Sequence, residues 1–185
     1  MAALSWVLLS YRLPREPSRL RLAVWRRLKR LGATVLHDAV WLLPAGAETR
    51  EAFEWLAEEI EEQGGTAFLW EASSLGPSQD SAIVAEFRSE ADGRYAAIAD
   101  SAAALSRLAR RRRPPGRARL DQARRQLAGL ERALRLESRR DHFRAPGRRR
   151  AEDALRAAIR ALAVPPGGTR AGGSQDWGHA DAVGH

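Results

Sequence analysis

Arginine is the residue type in this chain best placed to do chemistry. Arg12 and Arg15 close the first apolar segment, and Arg19, Arg26 and Arg30 recur through the basic run that follows. A guanidinium presents a planar fork of donors that matches phosphate and other oxyanion oxygens, and a stripe of them can track a nucleic-acid backbone. On a helix, Arg19, Arg26 and Arg30 cluster within about 40° of one another. Two further pairings set a candidate base beside a carboxylate: His37 with Asp38, and Asp141 with His142. Neither has the spacing of a metal site, which takes three or four converging ligands. A turn aspartate and a hydrogen-bonded surface histidine account for each pair better. His179 and His185 lie in a segment without periodicity, a poor place for preorganised chemistry. No Gly-rich phosphate loop, G-x-S-x-G elbow or H-E-x-x-H motif occurs. Binding is expected ahead of catalysis, with no enzyme activity, no cofactor and no metal.

The elements that must position these arginines are legible from periodicity. Residues 5–11 read as a strand apolar on both faces, with Trp6 and Leu8 on one side and Val7, Leu9 and Tyr11 on the other. Such a strand is usually covered on both faces. Pro17-Ser18 opens a helix and Gly32 closes it. Residues 34–37 and 39–43 form a hairpin around His37-Asp38. Glu48 to Gln63 is a second helix, ended by Gly64-Gly65, and Thr66 to Glu71 is a fourth strand. The order β-α-β-β-α-β predicts an α+β, ferredoxin-like unit over residues 1–75. Beyond the Gly-Pro turn at Gly76-Pro77, residues 76–164 predict a helical appendage. It comprises a long helix over 79–111, a heptad-bearing helix over 117–140, and a further C-terminal helix after Pro146-Gly147. Leu120, Ala123, Leu127, Leu130 and Leu134 mark the seam of a helical hairpin turned at Arg113-Pro-Pro-Gly116. Residues 165–185 read as a disordered tail.

Composition bounds the partners. The chain has 185 residues, a formal net charge of +8 and no cysteine, so disulfides and thiolate chemistry are excluded. A strongly basic balance favours a polyanionic partner, although thirty of the thirty-one basic residues are arginine in a chain rich in Ala and Gly, a bias that nucleotide composition also produces. Ala2 to Leu9 is too short to span a bilayer and its charges follow it, so no membrane association is expected and the cytoplasm is the expected location.

Against a nucleic-acid reading of the arginines stands simple neutralisation. Residues 18–31 carry six positive charges and no acid, while residues 48–63 carry seven glutamates and Arg50. Two helices side by side on one sheet could cancel each other. Leu22, Trp25 and Lys29 form a third sector of the first helix, and an outward tryptophan there predicts a second contact, either the appendage or the partner of a homodimer.

Trp6–Pro14, Arg19–Pro44 and Phe53–Glu71, with the later Asp141-His-Phe-Arg-Ala-Pro-Gly147, resemble the N-terminal domain of ChrB-type chromate-resistance regulators over about residues 4–163. The sharpest motifs are Leu8-Leu-Ser-Tyr-Arg-Leu-Pro14 and Trp25-Arg-Arg-Leu-Lys-Arg-Leu-Gly32. The resemblance implies a regulator of chromate resistance that binds DNA and responds to chromate or another oxyanion effector. It points to Arg12, Arg15, Arg19, Arg26 and Arg30 as the contact residues. The strand-helix-hairpin layout is also similar to small CRISPR-adaptation proteins, whose metal-dependent nuclease chemistry uses an aspartate at the end of the first strand. Ser10-Tyr11-Arg12 stands there instead, which disfavours a nuclease.

The tail holds a single tryptophan, Trp177, and cannot offset its ordering entropy by burial. Truncation after Val164 is expected to leave the thermal midpoint within experimental error, and a fall of several degrees in a melting curve would show that Trp177 docks on the fold.

Overall fold

Strand β1 (Ser5–Arg12) carries apolar residues on both faces, and its central position in the sheet explains why both faces need them. The computed structural model describes residues 4–16, 18–111 and 115–163. β1 lies between β3 (Val40–Pro44) and β4 (Thr66–Ser73), and β2 (Thr34–His37) pairs with the far side of β3. All pairings are antiparallel, giving a four-stranded sheet in the order β2-β3-β1-β4. The β2–β3 turn falls at His37-Asp38 as the sequence predicts, and Asp38 adopts the left-handed conformation that aspartate tolerates, with φ 44°.

Helices α1 (Ser18–Leu31) and α2 (Ala47–Glu62) cover the face bearing Val7, Leu9, Trp41 and Leu43. Val24 and Leu28 of α1 and Phe53, Leu56 and Ile60 of α2 are the apolar residues at helical spacing, and all are buried. Gly65 lets the chain return beneath α2, since a Cβ there would lie 2.7 Å from the Arg12 carbonyl oxygen and from Ile60.

The opposite face is covered only in part. Helix α3 (Pro77–Ala109) starts with proline in its first turn and crosses the Trp6 end of the sheet. The Trp6 indole donates to Asp80 Oδ1 at 2.9 Å, and the Leu4 N–H donates to Asp80 Oδ2 at 3.1 Å. Phe87 stacks on Trp6 with ring centroids 5.9 Å apart, and Phe143 closes the cluster at 5.8 Å from Trp6 and 5.2 Å from Phe87. Further along the same face the expected cover is missing. Phe68 and Trp70 of β4 stack on each other in solvent, at 59% and 50% exposure.

α4 (Arg117–Arg140) and α5 (Gly147–Ala163) complete the chain's described part. The expected helical hairpin and further C-terminal helix pack together as three helices, with α3 packed more extensively on α5 than on α4. The reason is α5's own apolar stripe: Ala151, Leu155, Ala158 and Leu162 are buried, and the small alanines admit close approach to Ala99, Ala102 and Leu105 of α3. α3 runs unbroken through Gly93. The tail expectation, and the Arg113-Pro114 part of the expected turn, lie outside the described residues.

Asp80 makes the sheet–α3 junction pH-sensitive. The Ser74 hydroxyl, then the Trp6 indole and the Leu4 amide, hold its carboxyl below the usual carboxylate range against the raising effect of burial. A depressed folded-state pKa contributes stability that is present above the unfolded value of about 4 and lost as pH falls through the folded value. Asp80→Asn is therefore expected to remove part of the acid-side loss of stability below about pH 4, checked by urea titrations from neutral pH downward; an unchanged acid limb would exclude Asp80 as its source.

Candidate nucleic-acid interface

α1 turns its arginines outward because its apolar side is fixed in the core. With Val24 and Leu28 buried against the sheet, Arg19, Leu22, Arg26 and Arg30 point the other way, and all four are exposed. Arg12, at the end of β1, and Arg15, in the loop before α1, are exposed as well. Arg12 and Arg21 line a depression of roughly 600 Å³ with Tyr11, Leu13, Leu22, Trp25 and Ala39, and the Arg21 guanidinium donates to the Arg15 carbonyl at 2.9 Å. The structure thus gathers Arg12 and Arg15 around Arg21, a residue the sequence reading did not single out, at the N-terminal half of α1. Arg26 and Arg30 continue the surface toward its C-terminal half.

Neutralisation by α2 is not what the geometry shows. Among the described residues, no ion pair within 4 Å joins an α1 arginine to an α2 glutamate, and none of Arg12, Arg15, Arg19, Arg26 and Arg30 is in any ion pair. Neighbouring helices stand about 8–10 Å apart, and side chains on their outer faces diverge. Arg50, the one cation of α2, pairs with Glu71 of β4.

The C-terminal end of α1 is held differently. Gly32 has φ 74°, and a Cβ there would lie 2.5 Å from the Arg140 carbonyl oxygen, so only glycine admits this contact. Arg140 donates to the Lys29 carbonyl at 2.8 Å, and a ring nitrogen of His142 lies 3.0 Å from the Leu31 carbonyl. Cationic donors on the last carbonyls of a helix are favourable there. Lys29, expected to face solvent, instead bonds Glu90 of α3 at 2.9 Å and lies over the Trp41 ring. Arg94 bridges Glu90 to Glu137, and Glu137 receives Arg140 from the other side. Glu137 is 1% exposed. Its signal was present in the heptad: three residues past Leu134, the seam position falls on a glutamate.

The first His–Asp pair lies on the surface, whereas His142 is half-buried, its ring packed on Phe87, and is not the surface histidine expected. His37 and Asp38 lie 3.3 Å apart, both more than 80% exposed. Asp141 accepts the Tyr95 hydroxyl at 3.1 Å and the Ala145 N–H, which shapes the turn into α5. Burial is the main reason the Tyr95 hydroxyl is pushed up to about 12, so it stays a donor. Gly147 N–H donates to Asp92 at 2.7 Å. Among the described residues no cluster of three or more His, Cys, Asp or Glu could hold a metal, and no helix is long and apolar enough to cross a membrane.

Comparison with known proteins adds to this geometry. The family described as "Protein ChrB, N-terminal" matches residues 21–164. The chain is also 31% identical over 117 residues to Protein ChrB of Cupriavidus metallidurans, a match that covers 58% of this chain and 36% of that protein. The chain therefore matches little more than a third of the length of that relative. No solved structure matches.

Glu137 is the group whose loss the interface should feel most. Glu137→Gln leaves Arg140 partly buried without its counter-charge and Arg94 with Glu90 alone, and breaking a buried pair in this way costs about 3–5 kcal/mol. Urea denaturation is expected to show a loss in that range, and a loss below about 1 kcal/mol would mean that water already screens the site.

Proposed function

Since this chain belongs to the family of ChrB N-terminal domains, we propose that it is a regulatory protein of chromate resistance that binds DNA. The single observation that carries the proposal is the outward face of α1: Arg19, Arg26 and Arg30 are exposed, share one stripe and have no acidic partner among the described residues. Arg12 and Arg15, with Arg21, extend it around the depression at the end of β1. Such a surface neutralises phosphates and releases their counterions, which supplies affinity without reading base sequence. The same guanidinium chemistry suits a chromate or other oxyanion effector. The proposal takes the protein as cytoplasmic, where its DNA would be, and the first unit as ferredoxin-like; β3 lying between β1 and β2, and β1 between β3 and β4, supports that fold reading.

A second reading, a protein–protein interaction module, is favoured by the stacked Phe68–Trp70 pair on the uncovered sheet face. Exposed aromatic pairs are costly unless a partner covers them.

The arginine face separates the two. Changing Arg19, Arg26 and Arg30 together to Ala is expected to weaken binding to the promoter DNA of its own operon and to all other DNA alike. The slope of log K against log salt should flatten by about one unit per arginine. Stability should change by no more than about 1 kcal/mol, because these side chains are exposed and unpaired. Intact DNA affinity in the triple variant, measured by salt-titrated fluorescence anisotropy, would refute the binding face.

A further inference from the structure

The two outer helices carry opposite charge on surfaces of matching length. On α1, Arg19, Leu22, Arg26 and Arg30 fall within a sector of about 80° opposite the buried Val24 and Leu28. On α2, Glu51, Trp55, Glu58 and Glu62 fall within about 60° opposite the buried Phe53, Leu56 and Ile60. Each set spans about 16 Å along its helix. All eight residues are exposed, Trp55 at 60% and Leu22 at 46%. Both helices lie on the same sheet face, since Lys29 of α1 sits over Trp41 and Arg50 of α2 pairs with Glu71, residues of that face. β1 and β3 are antiparallel, and each helix runs back against the strand before it, so α1 and α2 are antiparallel to each other.

We propose that this helical layer docks on the same layer of a second copy of the chain, α1 of each on α2 of the other. A two-fold axis parallel to the helices achieves this and keeps each facing pair antiparallel, which also opposes their dipoles favourably. Arg30 then meets Glu51, Arg26 the Trp55 ring and Glu58, and Arg19 Glu62. Each helix pair matches three cations to three carboxylates, and the symmetry repeats the set. Trp55 supplies the apolar and cation–π anchor that a purely charged surface lacks. The surface is self-complementary in the sense an isologous dimer requires, and among the described residues no ion pair satisfies it within one chain. A regulatory consequence follows, which rests on the DNA reading above. The acidic helix of the partner copy occupies the place of DNA phosphates, so self-association and DNA binding compete for the same arginines.

Charge exchange tests the docking. One variant carries Arg19→Glu, Arg26→Glu and Arg30→Glu; the other carries Glu51→Arg, Glu58→Arg and Glu62→Arg. In sedimentation velocity on the full chain, the unaltered protein is expected to dimerise at low salt, with affinity falling roughly tenfold or more as screening increases. Each variant alone should be monomeric, and an equimolar mixture should recover a dimer of one of each, which also shows that both are folded. Should either variant fail to fold, Trp55→Ala serves instead, and the expected result is a weaker dimer with an unchanged melting midpoint. Three results would overturn the proposal: a monomer at low salt, a mixture that stays monomeric, or a dimer indifferent to salt, the last placing the interface on Phe68 and Trp70. The DNA reading fails separately. If the Glu→Arg variant and the unaltered protein both lack salt-dependent affinity for DNA, that reading falls while the dimer result stands.

Discussion

The Glu137 carboxylate, enclosed between Arg94 and Arg140, is the contact through which the two parts of the molecule hold one geometry. Taking a carboxylate out of water costs several kcal/mol, and only well-directed donors return it. Here the donors come from α3 and from the end of α4, and each has a second commitment. Arg94 also reaches Glu90, which takes Lys29 of α1, and Arg140 also reaches the Lys29 carbonyl. The charge network therefore closes on α1 twice, through a side chain and through the backbone. A helix that presents cations outward needs some such anchor, because the charges on its outer face contribute nothing to holding it down.

Aromatic packing does for the sheet what the charges do for α1. Trp6 lies under Phe87 and against Phe143, while His142 meets the edge of Phe87 at 6.1 Å. The turn between α4 and α5 therefore delivers His142 to the end of α1 and Phe143 to the sheet in consecutive residues. Asp141 and Tyr95 fix that turn from within the helices. This is why the Asp141-His-Phe-Arg-Ala-Pro-Gly147 segment reads like a motif although it brings no reactive group to a site.

Local pattern made most elements legible. The hairpin at His37-Asp38, the helix stop at Gly32 and the limits of the helix over 117–140 all rest on near-neighbour chemistry, and the structure has them where the residues put them. The outward arginines followed from the same periodicity. What periodicity could not give was contact between residues far apart in the chain. Lys29 shares the outward sector of Leu22 and Trp25, and no local signal points to Glu90, 61 residues away, as its partner. The proximity of opposite charges on α1 and α2 suggested pairing, yet two helices lying side by side aim their outer faces away from each other. The cover over β1 was half right: Trp6 found α3, but the strand's neighbours Phe68 and Trp70 did not.

Helix α3 is 33 residues long, about 50 Å, and serves both parts of the molecule. Its first third lies in the core of the sheet through Ile83, Val84 and Phe87, and its last third lies in the core of the bundle through Ala102 and Leu105. No linker separates the two, so there is no hinge about which one could swing relative to the other. α3 is one continuous helix, so a displacement of its far end, near Leu105, is carried along the helix itself toward Trp6 and Asp80. The bundle thus reaches the sheet through the length of α3 and reaches the arginine helix through Lys29 and Arg140.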